Sequence, residues 1–290
     1  MHPNDYVKRL LPYCALLAFL SAAAQGRAAA QANDAALDLR ALIRDVCRGQ
    51  IEMLQRHDTR LRYQIQRTDH KGSTLRDEIE SHDGNVARLL QHDGRALTPE
   101  EDTGEHERLN GLLGSDKLQQ RERDEAKARI YGVEMLQVLP DAMRFTLAAM
   151  QTPLPDVADR QVVVDFEPDP AFHPANMTQQ ILPALRGRLW VDVADHHLLR
   201  MEAHNTSDVN LAWGLLAKVH AGGSILYEQR RFQDLYTFTH IALHLRLREL
   251  MVKAVLLDTD TLTGDFQRLP SSPSGDDAVR MLLAKPVPTR

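Results

Sequence analysis

The sequence is short of cysteine, of any large excess of one charge, and of apolar runs long enough to cross a membrane. Its 290 residues hold two cysteines, Cys14 and Cys47. Cys14 follows Pro12-Tyr13, not the small residues expected before a lipid-modified cysteine, so a lipid anchor is not indicated. Cys47 alone cannot form an internal disulfide, and the fold must rest on its core. A formal charge of −5 gives no electrostatic case for nucleic acid. The apolar run Leu10 to Ala24 is too short for a comfortable membrane span.

Catalytic signatures are also missing. There is no Gly-x-Ser-x-Gly elbow and no cysteine in a protease context. Gly222-Gly223-Ser224 lacks the lysine and following helix of a phosphate loop, and reads as a turn opening a strand. Asp165, Glu167 and Asp169 are close in sequence, but only the first two share a strand face. A solvated strand edge explains them, and a hydrolase using them is a distant third reading. Thirteen histidines raise the question of a metal. Yet His196 and His197 are adjacent and point apart, while His240 and His244 lie about 13 Å apart along a strand. No catalytic residue, metal ligand or cofactor is assigned, and the chain reads as a non-enzyme.

What is present begins with a targeting segment. Lys8 and Arg9 precede the Leu10 to Ala24 run, and Ala28-Ala29-Ala30 or Ala30-Gln31-Ala32 offers a cleavage site. Residues 1–32 thus read as a secretory signal peptide, the alternative being an uncleaved anchor. Removing them takes away Lys8, Arg9, Arg27 and Asp5 and moves the net charge from −5 to −7. The mature protein is expected in the periplasm or secreted, and not as an integral membrane protein.

Residues 33–269 read as one domain. Leu39, Leu42, Ile43, Val46, Cys47, Ile51 and Leu54 recur at helical spacing behind Asn33 and Asp34, giving an amphipathic helix over about 34–56. Leu61, Tyr63 and Ile65 alternate with polar residues as a first strand, followed by strands at 73–81 and 84–92 joined at Asp83-Gly84. Thr98-Pro99-Glu100-Glu101 is a capping box that opens a helical region over 98–139, with breaks near Gly111 and Gly114. Period two then returns at 143–147 and 162–166. Prolines 168, 170, 174 and 183 mark a surface loop. Strands follow at about 185–194, 197–206, 222–232, 235–248 and 250–262, interrupted by a short helix near Val209 to Val219 that carries Trp213. Residues 270–290 read as a mostly disordered tail.

The fold class is therefore α+β, mainly β: a curled antiparallel sheet of about ten strands forming an incomplete β-barrel, with an α-helical lid. Ile241 to Arg248 shows why the sheet needs a cover, since aliphatic side chains fall on one face and His244, Arg246 and Arg248 on the other.

Several strings resemble the lipoprotein-carrier superfamily, which includes the periplasmic lipoprotein chaperone and the outer-membrane lipoprotein receptor. They are the opening helix and Tyr63 strand, Gly94-Arg95-Ala96-Leu97-Thr98-Pro99-Glu100-Glu101 before a charged helix, and Gly187-Arg188-Leu189-Trp190-Val191-Asp192 followed by Leu199-Arg200-Met201-Glu202. The resemblance spans about Leu37 to Leu269. It implies a half-barrel with a helical lid enclosing an apolar cavity for acyl chains. The arginine that ties lid to barrel in that family has three candidates here, Arg144, Arg186 and Arg246.

Two readings of the apolar face stay open, a ligand cavity and a core filled by the lid. For the cavity, the expected lining is Tyr63, Ile65, Phe145, Leu189, Val191, Leu243 and Leu245, and the ligand is a lipid or acylated molecule. For the filled core, the protein is an envelope interaction or sensor module. Trp190, which shares a strand face with Arg188 and Asp192, is then the candidate contact for an envelope protein, unless another element covers it.

Overall fold

The computed structural model describes residues 38–56, 60–155, 157, 160–211, 217–249 and 253–284. The expected signal peptide, residues 33–37 and Trp213 lie outside the described residues. In chain order the elements are α1 (Leu39–Gln55), β1 (Leu61–Asp69), β2 (Gly72–Ile79), β3 (Val86–His92), β4 (Arg95–Ala96), α2 (Pro99–Asn110), α3 (Lys117–Ala142), β5 (Met143–Leu147) and β6 (Gln161–Pro168). There follow β7 (Leu185–Asp192), β8 (His197–Asn205), β9 (Val209–Leu211), β10 (Ala217–Val219), β11 (Ser224–Phe232), β12 (Leu235–Glu249), β13 (Lys253–Arg268) and α4 (Gly275–Ala284).

The described strands form one thirteen-stranded sheet in the order β4-β3-β2-β1-β13-β12-β11-β8-β7-β6-β5, with β10 paired to β12 and β9 to β10. Every pairing is antiparallel. The end strands β4 and β5 do not meet, so the sheet does not close into a barrel. Along β12 the expected alternation holds: Leu243, Leu245 and Leu247 are buried, while His244, Arg246 and Arg248 are exposed. Bulges interrupt the β7–β8, β11–β12 and β1–β13 ladders, and the last places Asp265 at φ 52°.

One face of the sheet, called here the lid face, is covered by α1 and α3. Leu42, Ile43, Val46 and Cys47 of α1 and Met135, Leu136 and Leu139 of α3 share a core with Val164, Leu189, Val191, Met201, Ile225 and Leu243. Each such aliphatic side chain, fully buried, contributes about 2 kcal/mol. The opposite, far face carries two smaller cores. Ile79 and Val86 pack with Leu109 and Leu112 near the end of α2, Leu118 of α3, and Ala278, Val279 and Leu282 of α4. At the other end Ala148, Leu154, Val163, Trp190 and Leu199 form the second.

The helix starts follow from capping. Asp38 accepts a bond from Ala41 N at 3.0 Å and so caps α1. The helix thus opens four or five residues after the caps expected at Asn33 or Asp34. Thr98 and Glu101 form the expected reciprocal box on α2. The helical region breaks at 111–116, and α3 runs past Pro140 to Ala142. Gly84, at φ 109°, lets the β2–β3 turn pass under α3; a Cβ there would lie 3.1 Å from Leu118 O and 3.2 Å from Glu122 Cβ.

Three expectations are corrected. The expected helix near Val209 to Val219 is instead β9 and β10 around the undescribed residues 212–216. The residues after Pro270 are not a mostly disordered tail over 275–284: α4 is capped by Ser274, whose Oγ accepts from Asp277 N at 3.0 Å, and Leu282 is fully buried. The proline-rich stretch is not wholly a surface loop, because Thr178–Ala184 forms a 3-10 helical turn that buries Leu182.

Candidate functional site

The lid face has a sealed half and a half-open half. On the sealed side, Leu189, Val191, Leu243 and Leu245 are all buried against the helices, and Phe145 packs at their margin. These are five of the seven residues expected to line a cavity, and they form solid core with α1. Tyr63 and Ile65, the other two, stand apart in a cluster with Leu61, Leu235, Phe232 and Phe266. The structure therefore splits the expected lining in two.

The half-open side runs over β1, β13 and β12. Cross-strand pairs put Ile65 beside Thr263, Thr261 beside Ile241, and Leu245 beside Leu257 on the lid face. Ile65, Phe238, Ile241, Val255 and Leu257 are only half-buried there, in contrast to the leucines under α1. Tyr63 meets Phe238 edge-on at 6.3 Å and Phe266 at 5.5 Å, which gives this strip an aromatic floor.

Its β2 side is polar. Tyr63 donates to Glu78 Oε1 at 2.9 Å, and Asn85 donates to the same oxygen at 3.0 Å. Burial pushes the Glu78 carboxyl upward against those two donors. Burial also lifts Glu80 to about 7, although Leu61 N–H donates to it at 3.3 Å. Arg76, the cross-strand partner of Ile65, is lowered by burial and supported by Glu105. The strip thus has an apolar floor and one rim of half-buried charge.

A buried polar link fastens lid to wall. Gln50 of α1 and Gln229 of β11 exchange amide bonds at 3.1 and 2.9 Å, and Gln229 also donates to the Tyr227 hydroxyl at 2.6 Å. All three side chains are buried. The arginines considered for this role are elsewhere: Arg144 meets Asp169, Arg186 meets Glu167, and Arg246 donates to Ala221 O. Sequence reading missed the glutamines, although a signal existed. Gln229 falls in the inward register of Ile225 and Tyr227, and Gln50 lies on the stripe of Ile43, Val46 and Cys47.

Trp190 is not offered to a partner. It is 8% exposed, packs with Ala148, Leu154 and Leu199, and donates from Nε1 to Thr152 O at 2.9 Å. Arg200 stacks over its ring at 5.4 Å. The loop after β5 is the cover that its polar strand face required.

The acidic residues weighed for hydrolysis face arginines. Asp165 takes a forked pair from Arg188 at 2.6 and 3.1 Å, Glu167 faces Arg186, and Asp169 faces Arg144. His196 turns to Asp45 of α1 at 3.1 Å, while His197 stacks on Tyr236 at 3.8 Å, so the two do point apart. His240 and His244 pair separately with Asp260 and Asp258.

No family model matches the chain, and no curated protein matches it. Among solved structures, a crystal structure of a DUF1329 family protein from Desulfovibrio piger is similar with a TM-score of 0.28 and 10% identity, over 80% of this chain and 93% of that one.

Proposed function

We propose that this is an exported, non-enzymatic binding protein that holds a lipid or acyl chain on the half-open strip of the lid face. The observation that supports it is the contrast along one face: aliphatic side chains are sealed under α1 on β7 and β8, but Ile65, Phe238, Ile241 and Leu257 remain half-buried on β1, β12 and β13. An apolar chain laid there covers these side chains at about 25 cal/mol per Å² of apolar area, so a few hundred Å² gives useful affinity. The resemblance to lipoprotein carriers points the same way. Export to the periplasm or medium follows from the signal-like N-terminus.

The test joins mass spectrometry of the purified protein to a titration with a soluble fluorescent fatty acid. The expected result is co-purified lipid or saturable binding, weakened about tenfold or more by Ile65→Asp, which puts a charge into the strip. The absence of both co-purified lipid and saturable binding would overturn the proposal. That outcome would favour the filled-core reading, an envelope interaction module, which the tight packing of Leu189, Val191, Leu243 and Leu245 supports.

A further inference from the structure

The sheet is longest along β12 and β13, and their far end differs from the rest of the surface. There β10 pairs with β12 through Ala217↔Glu249 and Lys218↔Arg248, and β12 pairs with β13 through Arg246↔Leu256 and Arg248↔Ala254. Cross-strand partners share a face, so Lys218 and Arg248 stand side by side, and Arg246 stands beside Leu256. This is the far face, opposite the lid, because Leu245 and Leu247 occupy the other side of β12.

Elsewhere on the far face basic residues are neutralised across strands. Arg188 pairs with Asp165, and Arg200 with both Glu202 and Glu228. At this end the pattern stops. Lys218 meets Asp208 and His244 meets Asp258, but Arg246 and Arg248 face no carboxylate among the described residues. Leu256 beside them, the fourth residue of β13, is 57% exposed, and Leu262 further along the same face is 44% exposed.

Uncompensated arginines beside an exposed leucine are the pairing that an anionic bilayer surface accepts: cations to the headgroups, an apolar side chain to the acyl boundary. We infer that the surface formed by Lys218, Arg246, Arg248 and Leu256 docks the protein on an anionic lipid membrane. The interaction is peripheral and electrostatic in origin, so it weakens as salt screens the headgroups. It does not depend on the lid-face strip, which lies on the other side of the sheet.

Flotation of the purified protein with vesicles of mixed phosphatidylglycerol and phosphatidylcholine, against phosphatidylcholine alone, tests this. The wild type is expected to float with the anionic vesicles and to be released by high salt. R246Q/R248Q is expected to lower the partition roughly 25-fold, since each basic residue at such a surface is worth about fivefold. Leu256→Asp is expected to lower it too. A wild type that stays with the soluble fraction, or an R246Q/R248Q protein that floats as well as the wild type, would overturn the inference. Titration of the same variants with the soluble fatty acid separates the two proposals. Unchanged affinity there keeps the strip intact, and a wild type that floats but binds no fatty acid sinks only the acyl-binding proposal.

Discussion

Gln229 is the residue on which the lid closure is most exposed to test. Its amide is fully buried and serves both Gln50 and Tyr227. Gln229→Leu strands two buried polar groups, so a loss of about 2–3 kcal/mol is expected from urea unfolding. The double replacement Q50L/Q229L should recover part of that loss, since it removes the pair together and leaves only the Tyr227 hydroxyl unserved. Additive losses in the double variant would mean that the amides do not act as a pair. Glu80 makes a separate point about pH. Its carboxyl is held at about 7 when folded against the usual 4.5, so the folded state binds the proton more tightly than the unfolded chain. Stability is therefore lost as pH rises from about 4.5 to about 7 and stays lower above that. Glu80→Gln, which keeps an acceptor for Leu61 N–H, is expected to gain on the order of 1–3 kcal/mol over the wild type at pH 8 and little at pH 4.5. Equal gains at the two pH values would refute this. Gln229 and Trp190 show where sequence reading falters. Gln229 keeps the inward register but is not apolar, and Trp190 keeps the outward register but is covered by the loop after β5. Binary pattern assigns a side chain to a face, and only tertiary packing says what lies on that face.

At the scale of elements, the long strands β11 and β12 were legible because one side is buried, which forces alternation along them. The short ones were not. β9 and β10 have three residues each, too few for a period, and their apolar neighbours mimic a helix. α4 was missed for a different reason: Ser, Pro, Gly and Asp before it suggest disorder, although Ser274-Gly-Asp-Asp277 is itself a helix-start signature. α2 shows an element whose polar side chains serve the sheet. Glu105 accepts from Leu89 N at 2.6 Å, and Arg108 donates to Ala87 O, so an ion pair stands where the next strand would pair with β3. The helix start holds this arrangement in place. Thr98→Ala removes one half of the capping box and is expected to cost about 1 kcal/mol. Thermal unfolding should show it as a fall of about 2–4 °C, and an unchanged midpoint would show that the packing under α2, not its cap, sets the helix.

For the molecule as a whole, the half-barrel with its lid was legible from the order of elements, whereas the division of the lid face was not. Tyr63, Ile65, Leu189 and Leu243 look alike in sequence, and only the course of α1 over β8 and β5 decides which of them is sealed. The pairing of the first long strand with the last bears on how such a chain comes to be folded at all. β1 joins β13 through contacts such as Leu61↔Arg268, so strands some two hundred residues apart must meet before either side of the sheet is continuous. Loop closure over that separation is slow. Until Lys253–Arg268 is available, β1 and β12 both present unpaired edges, and the sheet consists of two open pieces. A chain with this order commits to its final form late, because its two pieces become one sheet only when the last long strand, Lys253–Arg268, lies between them.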